Sequence, residues 1–160
     1  MKEKKYIIPN VGTLKISTIL FDINGTLQFQ GKVSAQLIKL FKRLKMEFNV
    51  ILISSDTRGN LKNIANKLGT TYIRINPENQ TDTEAKNMEL IRIGKEHTIA
   101  VGNGRNDALM LKNAALGILI LGSEGASTKS LLNSDIVFTN PIDAIHFLLD
   151  EKAVVATLRR

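Results

Sequence analysis

Apolar residues along the chain follow two alternating rhythms. Short runs rich in aliphatic and β-branched residues, Ile19-Leu20-Phe21, Val50-Ile51-Leu52-Ile53 and Ile99-Ala100-Val101, each stop abruptly at polar residues. That is the pattern of parallel strands buried on both faces. Tyr72-Ile73-Arg74, Gly117 to Leu121 and Ile136-Val137-Phe138 are further strand candidates, and Lys5 to Ile8 with Thr13 to Ile16 bracket Val11-Gly12 as a small hairpin. Between the strands the spacing changes to that of helices. Ser34 caps a predicted helix carrying Leu37, Ile38, Leu40, Phe41 and Leu44, and Gly59 to Leu68 reads as a second, stopped by Gly69. Thr83 to Ile93, Asp107 to Ala115 and Asp143 to Leu149 repeat the theme. Strands alternating with helices make a βαβ chain, and right-handed crossovers turn such a chain into a three-layer α/β/α sandwich with a mainly parallel sheet.

Composition narrows the picture. At 160 residues, with 43% apolar and 23% charged, the chain is expected to form one domain spanning residues 1–160 with a real core. Lys and Arg number 22 against 15 Asp and Glu, a formal charge of +7 that attracts anions. Six Phe, two Tyr, no Trp and no basic–aromatic interleaving argue against nucleic acid as the partner. Cysteine is absent and histidine occurs twice, which excludes thiolate chemistry and disulfides and leaves too few ligands for a His-rich metal site. Oxygen-bound Mg²⁺ stays open. The longest apolar stretch, Ala114 to Leu121, is far too short to span a bilayer, so the chain reads as a soluble cytoplasmic protein with no membrane partner.

In a parallel sheet, ligands collect where strands end and strand order reverses, so the residues after each apolar run matter most. Asp22-Ile23-Asn24-Gly25-Thr26 places a carboxylate at a strand end beside a glycine turn whose amides can face an anion. Ser54-Ser55-Asp56 offers hydroxyls at the end of the next run. Gly102-Asn103-Gly104-Arg105-Asn106-Asp107 begins like a dinucleotide fingerprint but has Asp in sixth place, which disfavours pyrophosphate and suits a metal. Lys86, sixteen residues before Gly102 near a predicted helix start, can set an ammonium against phosphate charge.

Taken in order, Asp22-x-x-Gly25-Thr26, Ser54, Lys86 and Gly102-x-Gly104-x-Asn106-Asp107 resemble the four motifs of the haloacid dehalogenase superfamily, over most of the chain. With Asn24 and Ser54-Ser55-Asp56 they look most like the small soluble P-type-ATPase-like members. The resemblance implies a Rossmann-like fold and a Mg²⁺-dependent phosphohydrolase, a phosphatase or weak ATPase, in which Asp22 becomes an aspartyl phosphate. It further implies that Asp22, the carbonyl of Asn24, Asp107 and Asn103 hold the metal. Gly25, Thr26, Ser54, Ser55, Lys86 and Asn106 would bind or orient the phosphoryl group, with Asp56 a second candidate for positioning.

Two positions depart from the family pattern. Asn24 stands where phosphatases of this kind usually carry the general acid–base Asp, and an amide exchanges no proton near neutral pH, so hydrolysis is expected to be slow. Asn103 stands where many relatives are acidic, so weaker Mg²⁺ binding is expected. Ser54 lies 32 positions after Asp22 and 32 before Lys86, gaps already filled by a helix with its turns or strand, leaving no room for a cap domain. An open site suits a phosphorylated small molecule, a nucleotide or a phosphoprotein, and a second copy of the chain is a candidate lid in a homo-oligomer. The alternative is a phosphate-binding or regulatory domain with little or no turnover.

Overall fold

A computed structural model describes residues 2–29 and 32–160. The chain opens with β1 (Lys4–Ile8) and β2 (Gly12–Ile16), an antiparallel hairpin, and continues into β3 (Thr18–Asp22). Then follow α1 (Ala35–Glu47), β4 (Asn49–Ser54), α2 (Leu61–Leu68), β5 (Thr71–Arg74), α3 (Asp82–Ile93), β6 (Thr98–Gly102) and α4 (Ala108–Asn113). The chain ends with β7 (Leu116–Ile120), α5 (Thr128–Leu131), β8 (Ile136–Phe138), α6 (Pro141–Leu149) and α7 (Glu151–Leu158). Six strands form one parallel sheet in the order β5-β4-β3-β6-β7-β8. Successive strands first step outward from β3 on one side, and then the chain returns to β6 on the other. The switch point therefore lies between the carboxyl ends of β3 and β6.

Strand alternation divides the core into two layers. Ile19 and Phe21 of β3 pack with Leu37, Phe41 and Leu44 of α1, with Ile145 and Leu148 of α6, and with Val154 of α7. Leu20 points the other way, into a smaller cluster with Ala85 and Leu90 of α3 and Met110 and Leu111 of α4. Because side chains alternate across a strand, Asp22 shares the face of Leu20 and meets α3. The rings of Phe21 and Phe41, 5.2 Å apart, fasten α1 to the central strand.

Helix ends follow local chemistry. The Ser34 hydroxyl accepts from the Leu37 amide, and Thr81 with Glu84 forms a reciprocal capping box at the start of α3. Gly69 closes α2 in the left-handed region at φ 61°. The expected helix from Asp107 to Ala115 divides into a 3₁₀ turn, Arg105–Asp107, and the shorter α4, because the Asp107 carboxylate folds back on the amides of residues 103 and 104. The terminal helix α7 was not anticipated. Asp150 both ends α6 and caps α7, its side chain accepting from the amides of Lys152 and Ala153. Among the described residues no helix is long and apolar enough to cross a membrane.

Gly117 sits on the β7 face against α4, where a Cβ would lie 2.3 Å from the carbonyl oxygen of Leu111. That neighbour is backbone, so a side chain there must push helix and sheet apart. Gly117→Ala is expected to lower the stability measured by urea denaturation by about 1–3 kcal/mol. An unchanged midpoint would show that α4 can shift at no cost.

Candidate active site

The loops at the switch point converge on one ammonium group. Lys86, in the second turn of α3, is wholly buried, and its Nζ donates to Oδ1 of Asp22 at 2.6 Å and to Oδ1 of Asp107 at 2.7 Å. Asp22, the last residue of β3, and Asp107, before α4, are buried as well. The other Asp107 oxygen, Oδ2, accepts from the amides of Asn103 and Gly104, both at 2.9 Å. Gly102 is required here, since a Cβ would come within 2.5 Å of the Asp107 carboxyl carbon.

The second oxygen of Asp22 faces a polar turn. Its Oδ2 accepts from the Thr26 hydroxyl at 3.2 Å, and Oδ1 of Asn103 lies 3.3 Å from the same hydroxyl. One proton serves one acceptor at a time, so an acid oxygen and an amide oxygen converge on a shared donor. Gly25, at φ 75°, lets Asn103 close over the turn: a Cβ at position 25 would fall 2.1 Å from Asn103 Nδ2. Asn103 Nδ2 donates onward to the Gly125 carbonyl at 3.3 Å.

Beside this cluster Ser54 is buried, and its Oγ accepts from the Asp56 amide at 3.0 Å, which leaves the hydroxyl proton for another acceptor. Asp56 adopts a left-handed φ of 57°, and its Oδ1 accepts from the Leu61 amide at the start of α2. Ser55 lines a cleft of about 420 Å³ with Thr57, Arg74 and Asn76. Asn106 is half-buried and folds toward Gly104, where a Cβ would meet its Oδ1 at 2.6 Å. Neither Ser55 nor Asn106 hydrogen-bonds to the Asp22 cluster.

Two residues absent from the sequence reading join the site. Gln28 is fully buried; its Nε2 donates to Oδ1 of Asn24 at 3.0 Å, and its Oε1 accepts from Nδ2 of Asn60 at 2.8 Å. A buried amide between apolar Leu27 and Phe29 is the trace that the sequence holds of it.

Asp22 and Asp107 were expected to flank a metal ion. They share the Lys86 ammonium, and the three hydrogen bonds that Asp107 accepts leave one of its about four lone-pair sites open. Among the described residues no three His, Cys, Asp or Glu side chains gather as a metal cage. Asp22, Asp107 and the Asn103 amide oxygen beside the turn at Asn24 make a hard-oxygen set. It suits Mg²⁺, which takes one or two carboxylates and completes its shell with water and phosphate.

The triad holds two carboxylates against one ammonium. Burial raises the Asp22 carboxyl to about 6, the charge of Asp107 adds to this, and Lys86 and the Ile23 amide oppose it. Burial alone would lower Lys86, but the charges of Asp107 and Asp22 and their hydrogen bonds hold its ammonium above the ordinary lysine value.

Comparison with known proteins follows this geometry. No family model matches the chain. Over 61 residues it is 54% identical to an uncharacterised protein of Methanocaldococcus jannaschii, a match covering 38% of this chain and 66% of that protein, so just under two thirds of the relative's length is spanned. Among solved structures, 3-deoxy-D-manno-octulosonate 8-phosphate phosphatase from Moraxella catarrhalis, in complex with magnesium, phosphate and the KDO molecule, has a TM-score of 0.68 at 17% identity, covering 90% of this chain and 94% of that one. The cobalt-bound phosphatase of the same name from Haemophilus influenzae has a TM-score of 0.68 at 13% identity, covering 91% and 94%. A haloacid dehalogenase-like hydrolase from Bacteroides thetaiotaomicron has a TM-score of 0.65 at 12% identity, covering 83% and 99%. The chain has the fold of the haloacid dehalogenase superfamily, with no cap domain among the described residues.

The triad's excess negative charge sets a pH dependence of stability. An unfolded Asp ionises near 4, whereas folded Asp22 ionises at about 6. Between those values the folded chain holds the extra proton, so this group's contribution weakens as pH rises through the window. In EDTA at pH 7, Asp22→Asn is expected to melt roughly 3–10 °C above the unmodified chain, with the gap closing toward pH 4. A gap independent of pH would rule out charge as its source.

Proposed function

We propose that this chain is a Mg²⁺-dependent phosphohydrolase that passes a phosphoryl group through Asp22. The observation that carries the reading is the buried Asp22–Lys86–Asp107 triad at the switch point of the sheet, with one Asp22 oxygen turned toward the Gly25–Thr26 loop. A nucleophilic carboxylate needs a fixed cation beside it to accept a phosphate, and Lys86 is held at 2.6 Å by the fold itself. The likeness to phosphatases of the same fold supports it.

In this reading the amides of Gly25 and Thr26 are spent inside the loop on the carbonyls of Gln28 and Ile23, and the Thr26 and Ser54 hydroxyls receive phosphoryl oxygens. Lys86 offsets the charge that spreads over them in the transition state. An Asp22 oxygen forms a bond to phosphorus as the bond to the leaving oxygen breaks and takes its electron pair away. Water then attacks the phosphorus of the aspartyl phosphate, releasing inorganic phosphate and restoring the carboxylate. Asp107 positions Lys86. Asp22, Asp107, the main-chain carbonyl of Asn24 and Asn103 would hold Mg²⁺, which when bound neutralises charge between nucleophile and phosphate.

No cap covers the mouth, so a phosphorylated small molecule, a nucleotide or a phosphoprotein can approach. A second reading, phosphate binding without turnover, is favoured by the amide at Asn24, which moves no proton.

With p-nitrophenyl phosphate and Mg²⁺, turnover and a phosphate mass gain on Asp22 are expected, and Asp22→Asn abolishes both. Asn24→Asp supplies the missing acid–base group and is expected to raise turnover by about tenfold or more, general acid–base catalysis being worth about 10²–10⁴. Absence of both turnover and label in the unmodified chain would select the second reading.

A further inference from the structure

We propose that the outer face of α1 and α2 is a docking surface for an acidic polypeptide segment. The inference goes beyond the phosphohydrolase reading and stands without it, since it concerns a surface outside the Asp22 cluster.

The chain's positive charge is unevenly placed. Residues 35–69 carry seven Lys and Arg against two Asp and Glu, so most of the formal +7 arises there. Both acids are already engaged. Glu47 pairs with Lys4, from outside this segment, while Asp56 accepts from the Leu61 amide with one oxygen and lies 4.0 Å from Arg74 with the other. Exposed on α1 are Lys39, Lys42 and Arg43 at helical spacing, and exposed on α2 are Lys62 and Lys67. None of these five pairs with an acid among the described residues.

The two helices form one surface. Both bury their apolar sides in the same core layer, Leu37, Phe41 and Leu44 beside Leu61, Ile64 and Leu68. Lys45, near the end of α1, donates to the carbonyl of Gly69, the residue that closes α2. Unpaired cations fixed on a shared surface repel one another, and an anionic partner relieves that repulsion. Since α1 follows β3 and α2 follows β4, both start at the carboxyl edge of the sheet, so a segment lying along them reaches the loops that carry Thr26 and Ser54.

The neutral residues of the face favour a polypeptide over other polyanions. Gln36, Asn63 and Asn66 stand exposed among the charges. Their amide oxygens need donors, which a peptide main chain supplies and a phosphodiester backbone, made of acceptors, does not. Met46, 71% exposed near the end of α1, offers an adaptable apolar contact to a partner side chain. Neither helix exposes an aromatic ring for stacking on bases or a row of large apolar residues for entering a membrane.

The experiment measures fluorescence anisotropy of a labelled short peptide of Glu and Asp with interspersed Leu, in EDTA at low and high salt. A labelled DNA duplex of equal charge is the comparator. Lys39→Glu with Lys62→Glu reverses charge on the face, and both positions are exposed in the first half of a helix, where an acid suits the helix dipole. Lys112→Glu with Lys129→Glu makes the same change at exposed positions on α4 and α5. Expected are saturable peptide binding that weakens as salt rises, a loss of about tenfold or more in the α1–α2 pair, and a change within about twofold in the α4–α5 pair. Equal losses in the two pairs overturn the surface, and duplex binding as tight as that of the peptide overturns the partner class. No peptide binding by the unmodified chain overturns both. A salt-sensitive dimer of the chain alone in sedimentation, lost in the α1–α2 pair, overturns the proposed partner in favour of a second copy.

Discussion

A lysine ammonium shut away between two carboxylates is the constraint on which the site depends. Lys86 comes from α3, Asp22 from β3 and Asp107 from the turn before α4, so the contact exists only when three separately folded pieces reach their places together. Leaving any one of these charges buried without its partners is costly, by several kcal/mol in comparable cases. The fold secures the ammonium by packing: Ala85 and Leu90 of α3 sit in the apolar cluster with Leu20 of β3. The same helix face that fills the core thereby delivers the charge. Missing side chains matter as much, since Gly102 leaves room for the Asp107 carboxyl and Gly25 for Asn103.

The triad is also unbalanced. Two acids share one cation, and the cost falls on Asp22, whose carboxyl is pushed up to about 6 mainly by burial and then by Asp107. Asp107 holds two backbone amides as well as Lys86, while Asp22 holds Lys86 at 2.6 Å, the Thr26 hydroxyl at 3.2 Å and the Ile23 amide. Two acids on one cation therefore sit in different surroundings, Asp107 closed in by the turn before α4 and Asp22 facing the turn that follows β3.

Much of this was legible in the sequence because it is local. Buried strands announce themselves as unbroken apolar runs, so the ends of β3, β4 and β6, and with them Asp22, Ser54 and Asn103, could be located in advance. The spacing of the motifs also picked Lys86 from many lysines. What stayed hidden depends on side-chain direction across long sequence distances. Nothing in Gly-Arg-Asn-Asp tells whether Asp107 faces a metal or a lysine 21 residues earlier. Gln28 and Asn60 meet across 32 residues, and each alone looks like an ordinary loop residue. Helix α7 escaped for a different reason: its capping signal, Asp150, also ends α6, so the residue that opens the second helix was taken up as the end of the first.

Asn24 and Asn103 change the site in the same physical direction. Each puts an uncharged amide where the resemblance leads one to expect an acid, and each keeps an oxygen or nitrogen engaged in a defined hydrogen bond, so the architecture survives while negative charge is removed. Around a carboxylate that must meet a phosphate dianion, less negative charge means less repulsion on approach. The same two changes weaken what an acid supplies afterwards, a strong grip on a divalent ion and a proton for the departing oxygen or the incoming water. In the proposed reaction the balance therefore shifts from release toward capture: the first step keeps its nucleophile and its ammonium, and the second loses its base. A site built this way retains a phosphoryl group longer than one with two more acids.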